Sequence, residues 1–226
     1  MSTTTQSTTS DAAAGEARIL VAGVPWDFYA RFVDGLPAWS RVRAAYDGRD
    51  MEIMVKGPMH EDFRGLLGRF VEEVAAESGL RFLGLGETTW NRRDVERGLE
   101  SDQCYYFDPD KIATAKAALK RKDNDVAGYP NPDLAIEVDI SPSLVDRPAI
   151  YAALRVPEIW RFDGEALRIE RLTDAGVYAL VDRSGWLAVD PSEVLEWITA
   201  DDAQDRGAWA IRLREWGRAR GRVPEN

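Results

Sequence analysis

The sequence predicts an α/β fold, a mixed sheet of about five to seven strands with helices on both faces. Three observations predict it. Short apolar runs recur between Gly, Pro and Asp-Gly breaks, as strands do. From His60 to Ser78 the apolar residues fall at helical spacing. The stretch Tyr129 to Phe162 gives a strand, a helix and a second strand, with prolines at 130, 132 and 142 closing both ends of the first apolar run.

Residues 1 to 16 are rich in Ser, Thr and Ala and hold almost no large apolar side chains. They cannot bury enough surface to offset ordering entropy, so a disordered tail is expected. Trp26 to Val33 forms a short amphipathic helix anchored by Trp26, Phe28, Tyr29 and Phe32. Arg41 to Tyr46 and Met51 to Val55 flank Asp47-Gly48, a hairpin signal, and Gly57-Pro58 ends the second strand. In the helix from His60, Phe63, Leu66, Leu67, Phe70, Val71 and Val74 mark the buried face, and Gly79 serves as its C-cap. Arg81 to Leu85 and Thr88 to Asn91 are expected as strands, and Glu100 to Phe107 as a third with a polar start. A helix is expected over Ile112 to Lys122.

The run Leu134 to Ile140 is the central strand. Side chains alternate faces, so Asp133, Ala135, Glu137 and Asp139 share one side, where three carboxylates repel unless a cation or proton sits among them. A helix from Leu144 or Asp146 to Leu154 and a strand from Pro157 to Phe162 follow. Ala166 to Leu172 and Val177 to Val181 make a hairpin around Asp174-Ala175-Gly176. Ser192 caps a helix running to Ile198, and Ala203 to Arg222 makes the last one. The expected organisation is a tail at 1–16, a domain at 17–200 and a basic C-terminal helix at 201–226.

With 226 residues, 45% of them hydrophobic and 30% charged, the chain can bury a full core. Its one cysteine, Cys104, cannot make an internal disulfide. No secretory segment opens the chain, and no apolar run approaches the ~20 residues of a membrane helix. A cytoplasmic setting without membrane attachment is expected. The net charge of −10 gives no general attraction for nucleic acid. Two local clusters are basic: Lys111, Lys116, Lys120, Arg121 and Lys122, and Arg206, Arg212, Arg214, Arg218, Arg220 and Arg222. Each is also what a solvated helix face would carry.

The run PDLAIEVDISPSLVDRPAIYAALRVPEIWRFDG, together with YDGRDMEIMVKGPMH and LGLGETTW…ERGLESDQCYYF, resembles the Uma-two family of endonucleases, members of the PD-(D/E)xK nuclease superfamily. The similarity covers roughly residues 26 to 200. It implies a restriction-endonuclease-like core, a mixed β-sheet flanked by helices, and DNA as the substrate. It also implies Mg²⁺ or Mn²⁺ at two carboxylates from neighbouring strands.

On this resemblance Asp102 matches the first acidic position and Glu137 the second. Asp133 is kept in the pattern as a further metal ligand or as the cap of the turn after Pro132. The superfamily's Lys, two residues past the second carboxylate, is here Asp139. An anion there cannot donate hydrogen bonds to a developing phosphorane, though it could be one more ligand. Arg147 occupies the place of a cation in the following helix and would neutralise phosphate charge, although it cannot act as a base. His60, the only histidine, would position phosphate or water, or else pack or cap its helix. Its neighbour Glu61 could join the metal site or favour the helix N-terminus. A homodimer would bring two sites to the two strands of a duplex. The alternative is an interaction or scaffold protein that kept the fold and lost the catalytic Lys.

Overall fold

The computed structural model describes residues 16–37 and 40–220. Eleven strands and six helices follow one another there. The first part holds β1 (Ala17–Val21), α1 (Trp26–Asp34), β2 (Val42–Tyr46), β3 (Met51–Val55) and α2 (Pro58–Glu77). Next come β4 (Leu83–Gly84), β5 (Thr88–Arg92), β6 (Arg97–Ser101), β7 (Gln103–Tyr106) and α3 (Pro109–Lys120). The last part holds β8 (Leu134–Val138), α4 (Arg147–Ala153), β9 (Glu158–Phe162), β10 (Leu167–Leu172), β11 (Tyr178–Leu180), α5 (Pro191–Ile198) and α6 (Arg206–Ala219).

The expected sheet is present as six strands in the order β11-β10-β9-β8-β7-β4. It is mixed because β8 and β9, joined through α4, run parallel, while its other pairs are antiparallel. A second sheet of five antiparallel strands, β1-β3-β2-β6-β5, stands beside it. Its outer strand β1 follows directly on the stretch read as a tail. Residues 1 to 15 of that stretch lie outside the described residues, whereas Glu16 is buried.

Core packing explains the positions of the helices. Leu134, Ile136 and Val138 face Leu67, Phe70 and Val74 of α2, with Trp209 and Leu213 of α6 behind. On the other face, Cys104, Ala135 and Ile159 meet Ile112 and Ala115 of α3 and Ile150 and Tyr151 of α4. All five residues of β8 are buried, as a central strand covered on both faces should be. The third cluster lies under α1, where Trp26 and Tyr29 pack on Tyr46 and Met51.

Several local readings shift for physical reasons. α2 begins at Pro58 rather than His60, since proline suits the first helical turn. Asp190, not Ser192, caps α5, forming a reciprocal capping box with Glu193. The strand expected over Glu100 to Phe107 breaks at Asp102 into β6 and β7, which belong to different sheets.

The C-terminal arginines are engaged within the fold. Arg214 and Arg218 bind Glu73 and Glu77 of α2 at 2.6 and 2.8 Å. Arg206 pairs with Asp62, Arg212 with Asp202 and Arg220 with Glu193. These five arginines tie α6 down and offer little free positive charge; Arg222, counted in the same basic cluster, lies outside the described residues. No helix among the described residues is long and apolar enough to cross a membrane.

Candidate active site

Asp102 sits at the break between β6 and β7, where the chain passes from one sheet to the other. Its N–H donates to the Ile136 carbonyl at 3.2 Å. Its Oδ2 accepts the Val138 N–H at 2.8 Å, so the side chain lies close to the plane of the strands and takes the place of a backbone acceptor. The β7–β8 register pairs Gln103 with Ile136, which puts Asp102 one step further along, opposite Glu137.

Two groups hold the Asp102 carboxylate. Lys56 Nζ, just past the end of β3, stands 2.6 Å from Oδ1. His60 Nε2, in the first turns of α2, is 3.1 Å from Oδ2. Burial alone would raise the Asp102 pKa, but Lys56 and the His60 bond outweigh it and hold the carboxylate well below its usual range. His60 is fully buried, and its Nδ1 has no hydrogen-bond partner among the described residues.

Glu137, at the end of β8, meets a different pair. Arg147 at the start of α4 and the Tyr151 hydroxyl one turn later both donate to it. Their spacing is helical, so one face of α4 presents both. Burial pushes the Glu137 pKa up to about 8, against the pull of Arg147 and with help from the charges of Asp102 and Asp139. Arg147 also donates to the Glu100 carbonyl at 3.2 Å, linking α4 to the end of β6. One buried cluster thus unites Asp102, Glu137, Arg147 and His60.

Asp139 lies past the end of β8. Arg18 of β1 reaches its Oδ1 at 2.9 Å and also binds Glu52 at 2.8 Å, Ser141 Oγ at 3.0 Å and Glu16 at 3.3 Å. A guanidinium therefore compensates the anion that replaces the superfamily's Lys. Asp133 does not join the cluster. Its Oδ2 accepts the N–H groups of Phe107 and Asp108, both at 2.8 Å, and its Oδ1 binds Lys111 at 2.6 Å. It fixes the start of α3 rather than capping the turn after Pro132. Glu61 turns away to Arg64 at 2.9 Å, while its other oxygen stays 3.6 Å from His60.

Sequence reasoning missed Lys56, Tyr151, Arg18 and Glu52. Lys56 is a lone cation after an apolar strand, which most often marks a solvated strand end. The one available signal was its place directly before Gly57-Pro58, where the chain turns into α2 and carries the strand end beneath the helix. A cavity of about 630 Å³, lined by Arg41, Arg43, Lys56, Glu61 and Glu87 among others, reaches the cluster from the Lys56 side. A second, of about 490 Å³, reaches Arg147 and Asp139 from the α4 side.

Among the described residues no group of three or more His, Cys, Asp or Glu side chains is arranged to hold a metal ion. Asp102 and Glu137 do offer the chemistry of a hard divalent cation, which takes one or two carboxylates and completes its shell with water. The high proton affinity of Glu137 beside an ionised Asp102 is what such a cation would reverse. Bonds from Lys56, Arg147 and Tyr151 would have to open to admit it.

Comparison with known proteins places the chain beside one described family. The sequence profile of Uma2, a family described as putative restriction endonuclease, matches residues 33–201. The match spans every site residue named above except Arg18 and Glu16. No curated protein matches the chain.

Proposed function

The chain belongs to the Uma2 family, and on that footing we propose that it is a Mg²⁺- or Mn²⁺-dependent DNA endonuclease. One observation supports the reading: Asp102, one residue before β7, and Glu137 of β8, the next position in the β7–β8 register, are both buried, with Lys56 and His60 on the first and Arg147 on the second. The two carboxylates would hold the ion, which when bound supplies an activated water and neutralises phosphate charge.

The remaining work falls to the chain's own residues. Lys56 keeps Asp102 ionised, and His60 together with the Val138 N–H fixes its orientation. Arg147, its guanidinium held high in pKa by Glu137, Asp139 and Glu52 against the cost of burial, stays charged and serves the phosphate as a permanent cation. Two copies acting together would cut both strands of a duplex in the cytoplasm.

A second reading rests on a specific feature. Asp102, Glu137 and Asp139 each already have a cationic partner, so the cluster is self-compensated and could act as a framework within an interaction protein. Plasmid incubated with Mn²⁺ separates the two. The wild type is expected to nick supercoiled plasmid and Glu137→Ala is expected to fail. Equal nicking by both would sink the assigned site. An inert wild type whose melting temperature responds to Mn²⁺ no more than that of Asp102→Ala would favour the framework.

A further inference from the structure

Glu87, in the turn between β4 and β5, has a carboxylate held by three cations from three different elements. Its Oε1 lies 2.8 Å from Lys56 Nζ and 3.5 Å from Arg64 Nε of α2. Its Oε2 lies 3.0 Å from Arg43 Nη2 of β2. Burial would raise its pKa, but bonds and charge from Lys56 and Arg43 hold it below the usual carboxylate range. The group is anionic and sits at the wall of the cavity that leads to Asp102.

None of the three cations depends on Glu87 alone. Lys56 keeps Asp102 at 2.6 Å, Arg64 keeps Glu61 at 2.9 Å and Arg43 pairs with Glu100. Glu87 is therefore an additional anion in a pre-built cradle. A carboxylate has two oxygens for three donors, and here Oε1 serves both Lys56 and Arg64. A tetrahedral phosphate could give each donor its own oxygen. Arg41 lines the same cavity. Pro58, at the N-terminus of the 20-residue α2, lines it too, and that helix start carries no side-chain cap. The helix end adds partial positive charge to the same space. The other acidic side chains at the wall are engaged, Glu61 with Arg64 and Asp62 with Arg206.

We propose that Arg43, Lys56 and Arg64 form a binding site for a phosphate group of the nucleic-acid strand, which Glu87 fills with its own carboxylate until the strand displaces it. The strand as the source of the phosphate rests on the nuclease reading, whereas the anion site does not. Gly86, at φ +61°, precedes Glu87 and makes the tight turn that presents its side chain to the cavity.

The test is done in EDTA, so that cleavage plays no part. Thermal melting follows inorganic phosphate against chloride at matched ionic strength, and fluorescence anisotropy follows a short 5′-phosphorylated DNA duplex. Glu87→Gln is expected to bind both probes roughly tenfold more tightly than the wild type, the gain when a competent form populated at about one part in ten becomes dominant. Arg64→Gln, a partly exposed change, is expected to weaken both probes and to cancel the gain when combined with Glu87→Gln. Unchanged or weaker binding by Glu87→Gln overturns the site. Tighter phosphate with unchanged DNA overturns the strand as its ligand. A protein that shows these shifts yet never cleaves would fail as a nuclease while this site stood.

Discussion

Lys56 and Asp102 form a buried pair whose members depend on each other. Burial would lower the Lys56 pKa, but Asp102 and Glu87 raise it, so the ammonium stays charged in a position only 4% exposed. Removing one member of such a pair leaves an uncompensated charge, at a typical cost of about 3–5 kcal/mol. Lys56→Met is expected to lose stability on that scale in urea denaturation at neutral pH. The pH dependence has a definite sign. Asp102 is held below its unfolded value, so its contribution is present above about pH 4 and fades as pH falls further. The gap between wild type and Lys56→Met should therefore be widest near neutrality and narrow in acid. A gap of constant size would mean that the Lys56–Asp102 charge pair is not what sets the loss. At this scale the sequence was legible only through resemblance. Asp102, Glu137, Arg147 and His60 were proposed that way; Asp102 contacts His60 and Glu137 contacts Arg147, whereas nothing in MEIMVKGP marks Lys56 as the residue beside Asp102. Asp133 was equally prominent in sequence, but it lies at the opposite end of β8, where free N–H groups of Phe107 and Asp108 claim it.

α6 is held to α2 by two kinds of contact of unequal weight. Trp209 is fully buried in the core it shares with Phe70 and Val74 of α2, its indole N–H donating to the Trp197 carbonyl of α5 at 2.8 Å, while Arg218 meets Glu77 at the surface. Trp209→Ala is expected to cost about 3–5 kcal/mol in chemical denaturation. Arg218→Ala is expected to cost about 0–1 kcal/mol, since exposed pairs are screened. The reverse order would show that charge, not packing, docks the helix. Elements with a strong period were legible in outline, α2 above all, because one apolar stripe must face one sheet. What could not be read was the break at Asp102. Residues Glu100 to Phe107 read as a polar start running into an aromatic strand, and nothing in that pattern shows that its two halves join different sheets. The second sheet was missed for a related reason. β1 is only five residues, and its Arg18 is buried because Glu16, Glu52 and Asp139 surround it, the last two far along the chain.

Arg18 joins the two sheets. It belongs to β1, yet it binds Asp139 and Ser141 beyond the end of β8, as well as Glu52 of β3. Arg18→Met would strand Glu16, Glu52 and Asp139 without their shared cation. The expected outcome is faster amide exchange in β1, β2 and β3, with β8 and β9 still protected, since their core against α2 and α4 does not involve this residue. Uniform loss of protection would show instead that the sheets unfold as one unit. The reach of Arg18 also bears on how the chain is made. Its partners lie 121 and 123 positions downstream. Residues emerge from the ribosome at about 5–20 per second, so β1 to β3 wait several seconds or more, with Arg18 paired to Glu16 and Glu52 only, before Asp139 and Ser141 appear. During that interval the N-terminal strands lack the tie to the β8 sheet that Asp139 and Ser141 later provide.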